Sequence, residues 1–256
     1  MVVAVPAKIM RGHDFSPYSA AGADGPADCA LTSLESRNDA QVNEDQRRDL
    51  LRRAEDELRR VGREHGWSSL QAAAERQRRL ALERSTAAEL GLPYAERADL
   101  GVKWDTGAPM PVLISGARTF VAFYLSIHDP LFKGTDPRMR DPRRDHGIGV
   151  VEFKSMTSVK MGTPNDEVLN GHPLWGSGLE LYSAHEVRNS PWINDLMEVN
   201  RIHSGFDTSH WTAAHHFILT FHDETLECVA DATVARTEPG ATMPEVVARL
   251  SSEAFG

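Results

Sequence analysis

The chain has 256 residues, 41% hydrophobic and 25% charged, enough for one large globular domain or one domain with an appendage. Its formal charge of −9 argues against a general nucleic-acid binder, which needs a basic footprint. Two cysteines, Cys29 and Cys228, without a CxxC pair, argue against a disulfide scaffold or a cysteine-rich zinc site.

The start, MVVAVPAKIM, has a short apolar run with no basic region before it, so no secretory signal is expected. No apolar stretch approaches the roughly 20 residues of a membrane helix. The expectation is a cytoplasmic protein with no membrane or nucleic-acid partner, a small-molecule ligand, and homo-oligomerisation left open.

Residues 11–42, rich in Gly, Ala, Ser, Asp and Pro, complete an irregular lead-in over 1–42 that is expected to be partly disordered. A single α+β domain is expected over 43–256. From Asn43, Leu50, Ala54, Leu58, Val61 and His65 recur at helical spacing, with Gln46 suiting a capped start and Gly66 a stop. A second helix starting at Ser68 or Ser69 presents Leu70, Ala73, Ala74, Leu80 and Ala81, and the pair forms a helical hairpin over 43–92. Interleaved Arg and Glu/Asp suit surface ion pairs, as on a solvated face covering a sheet.

The sheet-containing core is expected over 104–256. PVLIS-GAR-TFVAFYLSI predicts a hairpin with Gly116 at the first central position of a type II′ turn. Further strands are expected at 148–160, 179–188, 215–222 and 225–235. Ser190-Pro191 opens a helix with the stripe Trp192, Leu196, Val199 and His203, ended by Gly205. Thr242 and Glu245 form a capping box ahead of Val246, Val247 and Leu250. Successive strands with helices gathered before and after them predict α+β, with a mainly antiparallel sheet of about five to seven strands and short later helices.

No GxGxxG, phosphate loop, GxSxG elbow or EF-hand loop is present, so no nucleotide cofactor is indicated. The richest stretch is SHWTAAHHFILTFHD at 209–223. On a strand, His216, Ile218, Thr220 and His222 share one face, and His215, Phe217, Leu219 and Phe221 the other. His216 and His222 would stand roughly 20 Å apart, too far to ligate one ion. A symmetric turn at Asp223-Glu224 places His216 opposite Asp231 and Thr220 opposite Glu227, and makes Cys228 a core residue.

These placements predict a small-molecule enzyme using His/carboxylate acid-base chemistry, of hydrolase, lyase or isomerase type. His216 is the base, Asp231 its orienter, and Glu227 and His222 an added acid or ligand. Arg138, Arg140, Arg143 and Arg144, in the loop 129–147, suit an anion clamp. His172 and Trp175, among glycines, suit ligand contact. The alternatives are a non-catalytic ligand-binding or protein-interaction domain and, more weakly, a metalloprotein. In the latter, His203 or His210 would meet His216 with Asp231 or Glu227 around a divalent ion, which is not favoured.

Overall fold

The computed structural model of the chain describes residues 28–126 and 147–256, with side chains from residue 45. The chain divides into two units, Met1–Glu44 and Asp45–Gly256, and the side-chain packing below belongs to the second.

Helix α1 (Asp28–His65) starts well before the expected Asn43. The intervening stretch DCALTSLESRNDAQV contains neither Gly nor Pro, so nothing in it breaks a helix. Gly66, at φ +85°, ends it. Helix α2 (Leu70–Glu89) opens on Ser69, whose hydroxyl accepts the Ala72 N–H at 3.1 Å. Its buried face differs from the predicted stripe: Leu70 is exposed, while Ala72, Glu75, Leu80, Glu83, Thr86 and Ala87 are inside. Two glutamates on that face hide it from a reading of apolar period. Glu83 is accommodated by the Gly178 N–H at 3.0 Å and the nearby Arg79 guanidinium.

The chain continues through β1 (Tyr94–Arg97), β2 (Val112–Ser115), β3 (Thr119–Tyr124), β4 (Ile148–Lys154), β5 (Ser158–Gly162), a 3-10 turn (Leu169–Gly171) and β6 (Ala184–Arg188). Helices α3 (Pro191–Asn200) and α4 (Thr208–Ala213) follow, then β7 (His215–Thr220), β8 (Thr225–Ala230), β9 (Ala232–Glu238) and α5 (Met243–Phe255). The fold is α+β. Its strands form two antiparallel sheets, one of five in the order β1-β6-β7-β8-β5 and one of four in the order β2-β3-β4-β9.

Two expected strands are each split between the sheets. The run 148–160 breaks at Ser155 (φ +50°), so β4 stays in the four-stranded sheet and β5 joins the five-stranded one. The run 225–235 breaks at Asp231, whose N–H donates to the Lys154 carbonyl at 2.9 Å where the chain crosses back. Continuous strand propensity does not reveal a change of sheet. The expected strand at 179–188 forms only over β6, and β1 lies outside the expected 104–256 core.

The facing sheets bury Phe217, Leu219, Cys228 and Ala230 from one side against Val121, Phe123, Val151 and Phe153 from the other. Trp104 closes this layer against Phe123 and Phe221, at ring-centroid distances of 5.4 and 4.9 Å. On the outer face of the four-stranded sheet, Phe120, Ala122, Ile148 and Val150 meet Val246, Leu250 and Ala254 of α5. Full burial of the Phe, Ile, Leu and Val side chains among these contributes roughly 1.5–3 kcal/mol each. The capping box of α5 forms as expected, Glu245 accepting the Thr242 N–H at 3.0 Å. Gly116 lacks the positive φ of a type II′ turn, because Ser115 pairs with Thr119 across the longer loop 116–118. A Cβ there would stand 2.4 Å from the Ala254 carbonyl oxygen, so glycine is required by close approach of α5. Among the described residues no helix is long and apolar enough to cross a membrane.

Candidate functional site

The outer face of the five-stranded sheet is covered. Ala95, Val187 and Ile218 lie beneath Leu169, Leu174 and Leu179, which places His216 and most of Glu227 inside the protein. The β7–β8 register differs from the expected one by two residues. The hairpin centres on His222-Asp223, with Thr220 opposite Thr225 and the Phe221 N–H donating to the Glu224 carbonyl at 2.9 Å. A two-residue shift preserves the faces and changes every partner. His216 therefore faces Val229, and Glu227 faces Ile218.

The expected His216/Asp231 pair does not form. Asp231 lies at the crossing between sheets, and its Oδ1 is buried without a hydrogen-bond partner among the described residues. The carboxylate that meets His216 is Glu227, with Oε2 3.0 Å from Nε2. On the other side of the ring, Nδ1 lies 2.9 Å from the Ser190 hydroxyl. Ser190 caps α3 by accepting the Ile193 N–H at 3.3 Å, which leaves its own proton to donate. The neutral imidazole that satisfies both neighbours carries its proton on Nε2, facing the carboxylate.

Two further cationic or N–H-bearing groups reach Glu227. Lys160, its direct partner across β5–β8, places Nζ 2.9 Å from Oε1. His172 Nε2 stands 3.6 Å from the same oxygen, a contact too long for a full hydrogen bond. The Leu174 N–H donates to His172 Nδ1 at 3.1 Å, so the proton of the neutral ring is on Nε2, toward the carboxylate. Burial alone would raise the Glu227 carboxyl, but His172, His216 and Lys160 outweigh it and hold the group well below the ordinary carboxylate range. Trp192 packs edge-on against His216 at 5.0 Å and lies under Lys160 Nζ at 4.6 Å. Lys160, at 57% side-chain exposure, is the solvent-facing end of the cluster.

Of the residues expected in the site, the structure brings together His216, Glu227 and His172. His222 lies in the turn beyond β7, where its Nδ1 meets Asp166 Oδ2 at 2.7 Å and Tyr182 donates to the same oxygen. Trp175 is 37% exposed and makes a surface turn with His172. His203 is exposed past the end of α3, not on its apolar stripe, because that helix stops at Asn200. His210 is exposed on α4, its Nε2 3.4 Å from the Thr157 hydroxyl. Neither meets His216 with Asp231 or Glu227, and no group of three or more His, Cys, Asp or Glu able to hold a metal occurs among the described residues. Arg138, Arg140, Arg143 and Arg144 lie outside the described residues.

In the sequence Ser190 reads only as a helix start, and Lys160 and Trp192 carry no site signal. Ser190 was legible as a cap, but its neighbour His216 is distant in the chain. Lys160 reaches Glu227 only through the β5–β8 pairing. His185, on β6 shortly before Ser190, is fully buried and accepts the Glu180 N–H on Nε2 at 3.2 Å. Burial, with Arg84 and Arg97 nearby, lowers its imidazole to about 3.

No family model matches this chain, and neither a curated protein nor a solved structure matches it.

Proposed function

We propose that the protein is a small-molecule enzyme using histidine–carboxylate acid-base chemistry, of the hydrolase type. The observation that supports this reading is the buried chain from Ser190 Oγ through His216 to Glu227, with links of 2.9 and 3.0 Å. In this reading His216 Nδ1 takes the Ser190 proton as the hydroxyl attacks an acyl carbon. Glu227 holds the ring and stabilises the imidazolium that forms, and His216 then returns the proton to the leaving group. Water, deprotonated by the same imidazole, cleaves the resulting acyl-serine to release the acid and restore the Ser190 hydroxyl. A hydroxyl in line with a base favours hydrolysis over the lyase and isomerase types, which need no nucleophile. Lys160 and Trp192, at the open end of the cluster, are the groups a substrate meets first.

A fluorophosphonate reports on an activated serine without knowledge of the substrate. Intact-mass analysis should show one adduct, peptide mapping should place it on Ser190, and His216→Gln should abolish it. Absence of an adduct on Ser190 in the folded protein sinks the proposal.

A non-catalytic ligand-binding or interaction domain is the second reading, favoured by the capping bond from the Ile193 N–H, which gives Ser190 a purely structural use. Ser190→Asn separates the two. It keeps a capping oxygen and removes the nucleophile, so it is the unlabelled control: a Ser190 adduct in the unaltered chain that Ser190→Asn lacks supports the enzyme, and an unlabelled Ser190 supports the structural use.

A further inference from the structure

A cavity of about 390 Å³ lies away from the Glu227 cluster, between the segment after β1 and the turn before β6. That volume falls in the range of about 300–1,000 Å³ typical of small-molecule sites. Its apolar wall comes from Leu100, Val102 and Trp104, and Tyr182 completes the lining on the opposite segment.

The wall is held rigidly. The Trp104 indole N–H donates to the Thr220 carbonyl at 3.1 Å, and its ring packs on Phe123 and Phe221. Tyr182 has the uncommon φ of +52°, and its hydroxyl is tied to Asp166, which also receives His222. Strained, over-determined backbone of this kind is concentrated at ligand sites.

The charged lining has a cationic surplus. Arg97 and Arg84 share one carboxylate, Glu180. Arg84 binds it at 2.7 Å, which leaves Arg97 at 3.7 Å. Lys103 is exposed and has no carboxylate partner among the described residues. The lining's own acid, Asp99, accepts the Gly101 N–H at 2.9 Å in a local turn.

We infer that this cavity binds a small organic carboxylate with a compact apolar body, the anion facing Arg97 and Lys103 and the body lying against Leu100, Val102 and Trp104. The site stands independently of the Ser190–His216–Glu227 reading.

The test is a titration of the 15N-labelled full chain with phenylacetate, followed at the Trp104 indole N–H. Benzyl alcohol supplies the ring without the charge, and inorganic phosphate supplies charge without the ring. Saturable phenylacetate binding is expected, with each control weaker by about tenfold or more. Lys103→Gln and Arg97→Gln, checked for fold by circular dichroism, should each weaken phenylacetate by about fivefold to tenfold. Lys103 is exposed, so at least that variant is expected to fold. No phenylacetate-induced shift at Trp104, equal binding of either control, or unchanged affinity in the folded Lys103→Gln protein overturns the inference.

Discussion

His216 and Glu227 are joined at 3.0 Å although they are not partners across the β7–β8 ladder, where His216 faces Val229 and Glu227 faces Ile218. The contact is diagonal, within reach of a long carboxylate side chain. It makes Glu227 the meeting point of β7, β8 and, through Lys160, the edge strand β5.

Glu227→Gln keeps the shape of this junction but removes the charge and one acceptor. Urea unfolding should show a loss of about 1.5–3 kcal/mol, the scale of hydrogen bonds to a charged group. An unchanged midpoint would mean the cluster contributes nothing to folding.

Ser190→Ala removes a helix cap and leaves His216 Nδ1 buried without its partner. A destabilisation of about 1–3 kcal/mol is expected, with Ser190→Asn recovering the capping part of it. Chemical denaturation of the two variants side by side measures the split.

His185 supplies a pH dependence. Its folded-state value, about 3, lies below the ordinary 6.5, so an unfolded chain binds a proton at pH values where the folded protein does not. Its stabilisation is fully present above pH 6.5 and is lost as pH falls from there toward 3. The slope is about 1.4 kcal/mol per pH unit for one proton. In His185→Gln, which retains an acceptor for the Glu180 N–H, the dependence of stability on pH between 6 and 5 should flatten by about one proton. Parallel curves for the two proteins would refute this.

Gly116→Ala should cost about 1–3 kcal/mol, because the new methyl meets the Ala254 carbonyl oxygen and the Phe255 ring. Thermal melts are sufficient. A neutral effect would show that the C-terminal turn of α5 yields freely.

Cys228 is fully buried, and burial pushes its thiol up to about 12. In a Cys29→Ser background, Ellman's reagent at pH 8 should therefore react at the rate of unfolding. Rapid reaction in native buffer would contradict the packing of the two sheets.

Much of the architecture was legible because it is local. Ser69 and the Thr242/Glu245 box announce helix starts, and alternation along 215–221 assigns Phe217 and Leu219 to one face and His216 and Ile218 to the other. Cys228 follows from the same alternation. Partnership was less accessible. The faces survive a two-residue slip, so apolar pattern could not choose between Asp231 and Glu227 as the carboxylate for His216.

The α+β class, the antiparallel pairing and the starts of α2, α3 and α5 are legible in the chain, since they depend on period, caps and turn residues within a short window. The arrangement of the strands in two sheets, the covering of the polar face of β7, and the convergence of Ser190 and Lys160 on His216 and Glu227 arise only when distant segments pack. Those outcomes depend on turn placement and on contacts between distant segments, where burial and electrostatics act only after the chain has closed on itself.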